Sequence, residues 1–175
     1  GQKMDGSIQV YYGNGRGKTT AALGLGIRAA GVGKQVIMVQ FLKKKHSDTL
    51  DFLKKLEPEL QIFRFEKAAC GYSDLSPKEK QEQMLNIKNA LGYSRKVLDT
   101  GQCDLLILDE IFGLVDYNII TIEELMDLIS VKKDSKDLIL TGRNLPEEVR
   151  EIADCVYSIQ REKEKTPEIL AQGIS

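Results

Sequence analysis

The stretch Ile8-Gln9-Val10-Tyr11-Tyr12-Gly13-Asn14-Gly15-Arg16-Gly17-Lys18-Thr19-Thr20-Ala21-Ala22 joins a β-branched and aromatic run to three glycines on alternate positions. A small-residue segment follows and continues through Gly24, Leu25 and Ala29. Strand, loop, helix is the order that a phosphate site requires. Glycines let consecutive backbone amides turn inward, and the new helix adds the positive end of its dipole, so main-chain donors grip a polyphosphate. Lys18 supplies a mobile point charge for phosphate oxygens, and the Thr19 hydroxyl can ligate Mg²⁺. The common G-x-x-x-x-G-K-[ST] spacing places its first glycine where Tyr12 stands, so Gly13 makes the turn one residue later. Gly13, Asn14, Gly15, Arg16, Gly17, Lys18, Thr19 and Thr20 together form the candidate ATP-phosphate cradle.

Outward from this loop, short apolar runs alternate with segments of helical period. That pattern predicts an α/β fold, a mostly parallel sheet of about six strands with helices on both faces. Strands are expected at Ile8 to Tyr12, Gln35 to Leu42, Gln61 to Phe65, Leu105 to Leu108, Leu138 to Leu140 and Val156 to Ile159. Leu105 to Leu108 is continuously apolar, as a central parallel strand buried on both faces should be. Three patterns mark helix starts: Ser76 with Glu79, Thr121 with Glu124, and Asn144 with Glu147. Pro77 and Pro146 are expected just inside two of them. Met84, Ile87, Leu91 and Leu98 form one stripe at helical spacing and are assigned to the core.

The fourth strand ends in Asp109-Glu110, at the carboxyl edge where sheets of this class place their ligands. An acidic pair there can hold magnesium, directly or through water, opposite Thr19. The bland alternative is a capping Asp109 and a solvated Glu110. Thr141-Gly142-Arg143-Asn144 follows the fifth strand, where Arg143 can reach a triphosphate or serve structure, with Asn144 capping the next helix. Arg28 lies about two and a half turns beyond Lys18. It faces either nucleotide or surface carboxylates.

At 175 residues the chain is expected to form one domain, 1–175, with 161–175 a tail that either orders over the site or stays flexible. Hydrophobic residues make up 42% and charged residues 29%, with a net charge of -1, so nothing in the balance directs the molecule to nucleic acid or an anionic membrane. The run Lys43-Lys44-Lys45 is expected to be a solvated loop. Cys70, Cys103 and Cys155 are odd in number and lack zinc spacing, and His46 is the single histidine, which points to a reducing cytoplasm and away from a metal centre of that kind. No apolar stretch of about twenty residues occurs, so neither export nor membrane spanning is indicated. A held triphosphate and a metal serve kinases, ATPases and alkyl transferases alike, and a non-catalytic binding module as well.

The run Gly13 to Thr20 with Ala21-Ala22-Leu23-Gly24, then Arg28-Ala29-Ala30-Gly31 and Val39-Gln40-Phe41-Leu42-Lys43, resembles the ATP:corrinoid adenosyltransferases of the CobA/CobO/BtuR type. The likeness continues through Gly71-Tyr72-Ser73, Ile107-Leu108-Asp109-Glu110 and Leu140-Thr141-Gly142-Arg143-Asn144. It implies a RecA-like P-loop fold, a homodimer, and transfer of the 5′-deoxyadenosyl group of ATP to Co(I) of a corrinoid, such as cobalamin or cob(I)yrinic acid a,c-diamide, with release of triphosphate. Mg²⁺ and a flavodoxin-type reductant belong to the same expectation. In that chemistry the substrate's cobalt is the nucleophile, so no protein residue need be one. Position by position, Gly13 to Thr20 would bind triphosphate, Thr19 and Glu110 would ligate magnesium, and Tyr72 would stand beside the corrin. The chain departs from its relatives in having Asp74 and no tryptophan where a Gly-Phe-Thr-Trp pattern is usual, and in ending on Gln172-Gly173-Ile174-Ser175. Few residues precede its first strand, where longer relatives carry a segment that folds over the site.

Overall fold

The computed structural model describes residues 5–44, 48–67 and 74–165. Six strands form one sheet: β1 (Ile8–Tyr12), β2 (Val36–Lys44), β3 (Leu60–Lys67), β4 (Leu105–Asp109), β5 (Asp137–Gly142) and β6 (Cys155–Ser158). The helices between them are α1 (Lys18–Gly31), α2 (Asp48–Leu53), α3 (Pro77–Thr100), α4 (Ile111–Asp116), α5 (Ile122–Ser130) and α6 (Glu147–Ile152). Strand order is β3-β2-β4-β5-β1-β6 and every pairing is parallel. All the carboxyl ends therefore lie along one edge, and the loops leaving β1, β4 and β5 meet there.

Alternation along each strand divides the core. Ile37, Val39 and Phe41 of β2 share one face with Leu106 and Leu108 of β4, packed against Ile87, Val97 and Leu98 of α3 and Leu125 of α5. Val36, Met38, Leu105 and Ile107 face the opposite way, toward Ala22 of α1. The small residues of α1 let it lie close to the sheet. A Cβ on Gly26 would come within 3.1 Å of Ile107 Cδ1 and 3.3 Å of Val36 Cγ1, so a larger side chain would lift the helix that carries Lys18 and Thr19. Among the described residues no helix is long and apolar enough to cross a membrane.

The expected helix starts hold at two of three places. Ser76 and Thr121 form complete capping boxes with Glu79 and Glu124, and Pro77 opens α3. At the third, α6 begins at Glu147 with Pro146 as its N-cap, outside the helix, and the Asn144 amide donates instead to Asp116 at 3.0 Å. Ile87 and Leu98 are buried, and Leu91 packs against the same core. Lys43 and Lys44 belong to β2, which corrects the reading of that run as loop; Lys45 and His46 lie outside the described residues.

Candidate functional site

Gly17 adopts φ 106° as the N-cap of α1 and offers no side-chain cap, so the amides of the first turn meet no capping group from it. Upstream amides are spent on the protein itself. Gly13 N donates to the carbonyls of Gly142 (3.2 Å) and Arg143 (3.1 Å), and Gly15 N donates to Ile159 O at 2.9 Å. Asn14 closes the contact from its side, its Oδ1 accepting from the Arg161 amide at 3.1 Å. The segment after β6 thus braces the first half of the loop.

Lys18 and Thr19 follow as the first two residues of α1. Lys18 Nζ donates to Gly15 O at 2.9 Å. Burial pushes its pKa below the usual lysine value, Glu110 pulling the other way and Lys43 reinforcing the fall. Thr19 Oγ1 lies 2.9 Å from each carboxylate oxygen of Asp109 and donates its hydrogen there.

Asp109 is fully buried, and its oxygens are heavily used. Thr141 Oγ1 donates to Oδ1 at 2.6 Å, while Gln40 Nε2 (3.3 Å) and Lys43 Nζ (3.1 Å) approach Oδ2. Outside this ring, Arg64 Nε donates to Gln40 Oε1 at 3.1 Å, which fixes the amide orientation. Lys43 Nζ also donates to Thr19 Oγ1 at 2.9 Å. A buried carboxylate needs such company, since an ionised group out of water is stable only when paired and hydrogen-bonded.

Glu110 occupies a different environment. It stands at the N-cap of α4 with φ 64°, a left-handed conformation that costs a non-glycine residue energy, and its amide donates to Thr141 Oγ1 at 2.8 Å. Its side chain opens into a cleft of about 500 Å³ together with Gly13, Asn14, Lys18, Gly113, Asp116, Tyr117, Arg143 and Asn144. A lysine and an arginine beside the carboxylates of Glu110 and Asp116 suit a polyphosphate with a cation.

The structure therefore brings Gly13, Asn14, Lys18, Glu110 and Arg143 around one cleft and sets Thr19 against Asp109 behind it. Arg28 does not join them. It is exposed in the last turn of α1, about 15 Å along the axis from Lys18, where a cation complements the negative helix end. Tyr72 lies outside the described residues. Residues that the linear reading missed are Lys43, Gln40, Thr141 and Arg64 around Asp109, and Asp116 and Tyr117 in the cleft. Lys43 and Thr141 sit near the carboxyl ends of their strands, a signal that could have found them, whereas Gln40 and Arg64 lie in mid-strand and reach the site through their register with Asp109.

Among the described residues, no group of three or more His, Cys, Asp or Glu gathers as a metal cluster. The family model for ATP:corrinoid adenosyltransferase BtuR/CobO/CobP matches residues 4–174. The corrinoid adenosyltransferase of Escherichia coli is 30% identical over 159 residues, covering 91% of this chain and 79% of its own. That of Salmonella typhimurium has the same identity and coverage, and that of Pseudomonas aeruginosa is 24% identical over 86% of this chain and 73% of its own. Among solved structures, a KaiC-like protein from Pyrococcus horikoshii superposes with a TM-score of 0.58 at 19% identity, over 93% of this chain and 75% of that one. That likeness concerns the fold.

Proposed function

We infer that this chain, which belongs to the ATP:corrinoid adenosyltransferase family BtuR/CobO/CobP, transfers the 5′-deoxyadenosyl group of ATP to the Co(I) centre of a corrinoid. Cobalt attacks C5′, a cobalt–carbon bond forms, the C5′–O bond breaks, and its electron pair leaves with triphosphate. No proton moves in that step, so it asks the protein for no general base. What the protein must supply is position and charge.

One observation carries the reading: Thr19, at the start of α1, meets Asp109 at the end of β4, beside a cleft that holds Lys18, Arg143 and Glu110. The amides from Gly17 to Thr20, with Lys18, hold the leaving triphosphate, while Gly13 to Arg16 shape the loop that presents them. Arg143, directly after β5, adds charge. A magnesium ion would be held by Thr19 and Glu110 and would neutralise charge building on the triphosphate. Asp109, buried and already bonded, keeps the Thr19 hydroxyl turned toward that ion. Tyr72 flanks the corrin, the protein works as a cytoplasmic homodimer, and a flavodoxin-type donor keeps cobalt reduced; these rest on the family likeness.

The test is a product assay. With ATP, Mg²⁺ and a corrinoid chemically reduced to Co(I), the visible spectrum should change to that of an alkyl-cobalt species, with triphosphate appearing in step. ADP as the nucleotide product, or an unchanged spectrum beside an active reductant control, would reject the reading in favour of a phosphotransferase or a binding module.

A further inference from the structure

We propose that Lys43 is the resident cation of the metal position, so that a divalent ion and the lysine compete for one place between Thr19 and Asp109. The proposal rests on the assignment of Thr19 as a metal ligand made above.

The Thr19 hydroxyl has one hydrogen, and Asp109 takes it. Its remaining acceptor capacity faces Lys43 Nζ at 2.9 Å, and the same ammonium lies 3.1 Å from Asp109 Oδ2. A magnesium ion sits at about 2.0–2.1 Å from its oxygen ligands, so even on the second lone pair of the Thr19 oxygen it would stand only about 4 Å from the ammonium. Ammonium and ion repel each other at such separation. One of them must leave.

The backbone is bent to put the lysine there. Side chains three apart on a strand point to opposite faces, yet Gln40 and Lys43 both reach Asp109 Oδ2. The reason lies between them. Leu42 has φ 56°, and the pairing of β2 with β3 skips a residue between Phe41 and Lys43, the mark of a bulge. A leucine in the left-handed region is strained, and a lysine destined for solvent needs no such device. The bulge aims Lys43 inward, where three quarters of its side chain is covered and Asp109 is fully so.

The consequence is an order of binding. With Lys43 in place, the nucleotide-free protein has little affinity for a bare divalent ion. Metal enters with the polyphosphate, whose negative charge draws the ammonium off Thr19 and onto phosphate oxygens. Lys43 thus couples metal capture to nucleotide capture.

Mn²⁺, followed by electron paramagnetic resonance in the absence of nucleotide, tests this directly. Lys43→Met should bind Mn²⁺ at least about tenfold more tightly than the wild type, a difference of about 1.4 kcal/mol. Lys43→Arg keeps a cation there and should stay near the wild type. Adding Thr19→Val to Lys43→Met should abolish the gain. Equal Mn²⁺ affinity in wild type and Lys43→Met, or a gain that survives loss of the Thr19 hydroxyl, overturns the proposal. If Lys43→Met does not fold, the wild type decides. The Lys43 ammonium resonance of ¹⁵N-labelled protein should hold still in Mg²⁺ at concentrations that saturate the protein when ATP is present, and move once ATP is added; movement with Mg²⁺ alone overturns the proposal. No corrinoid enters these measurements, so failure of adenosyl transfer and failure of this competition are separate results.

Discussion

Gln40 and Lys43, an odd number of residues apart on β2, approach the same carboxylate oxygen, Asp109 Oδ2, at 3.3 Å and 3.1 Å. Together with Thr19 and Thr141 they enclose a carboxylate that water does not reach. The tips of β2, β4 and β5 and the first turn of α1 are thereby tied to one side chain, and the stability of this edge and the geometry of the cleft depend on it.

Asp109→Asn keeps the volume but removes the charge, and turns an amide hydrogen toward groups that already donate. Breaking a buried pair by removing one partner costs about 3–5 kcal/mol, and the quarter exposure of Lys43 moves the expectation to about 3 kcal/mol. For a chain of this size the melting temperature should fall by about 6–12 °C. Calorimetry of the two proteins without ligand measures it, and a change within a degree or two would show that the ring does not hold this edge.

Lys18 carries a pH signature. Burial lowers its pKa, so the folded protein holds this proton less tightly than the unfolded chain does. Stability from this group is therefore full above the ordinary lysine pKa of 10.5 and is lost as pH falls through the lowered folded value. Lys18→Met should be at least as stable as the wild type at neutral pH while losing ATP affinity, and the difference in stability should change in favour of the wild type toward pH 10.5. Urea unfolding across alkaline pH follows this. A bound triphosphate restores the charge and should flatten the slope.

Gly15 and Gly17 are glycine for different reasons. A Cβ on Gly15 would meet Ile159 O at 2.9 Å and Gln160 C at 3.0 Å, whereas a Cβ on Gly17 meets nothing within 4 Å but sits on a backbone with φ 106°. Gly15→Ala should push the segment after β6 off the loop, at a cost of about 1–3 kcal/mol, and expose the Gly15 amide to hydrogen exchange. Gly17→Ala should disturb the start of α1 and leave the brace in place, so that its Gly15 amide exchanges as in the wild type.

Cys103 is buried, and its thiol is pushed up to about 11 by desolvation, with Asp104 adding to the rise. Thiolate is the reactive form, so a neutral aromatic disulfide reagent at pH 8 should modify the partly exposed Cys155 before Cys103. Mass mapping after brief labelling distinguishes the two. Equal labelling of Cys103 in the native protein would contradict its placement in the core.

Where structure depends on neighbours in the chain, the residues announce it. The boxes at Ser76 with Glu79 and Thr121 with Glu124 close within one turn, and the Gly-rich loop with Lys18 and Thr19 is built from consecutive positions. Asn144 looked the same on paper and behaves otherwise, because Asp116, 28 residues earlier, comes close enough to take its amide. No local rule contains that competition.

What the sequence by itself determined is the alternation of strand and helix, the phosphate loop, and the acidic pair at the end of β4, since each follows from periodicity or from contiguous spacing. What only the tertiary structure decided is the strand order β3-β2-β4-β5-β1-β6 and the gathering of Gln40, Lys43 and Thr141 on Asp109. Parallel pairing brings residues distant in the chain to adjacent strand ends, and the left-handed turn at Leu42 reverses the face that Lys43 would otherwise take. A lysine in a basic run carries no mark of either event; the fold turns it toward the buried carboxylate, where its charge has a partner.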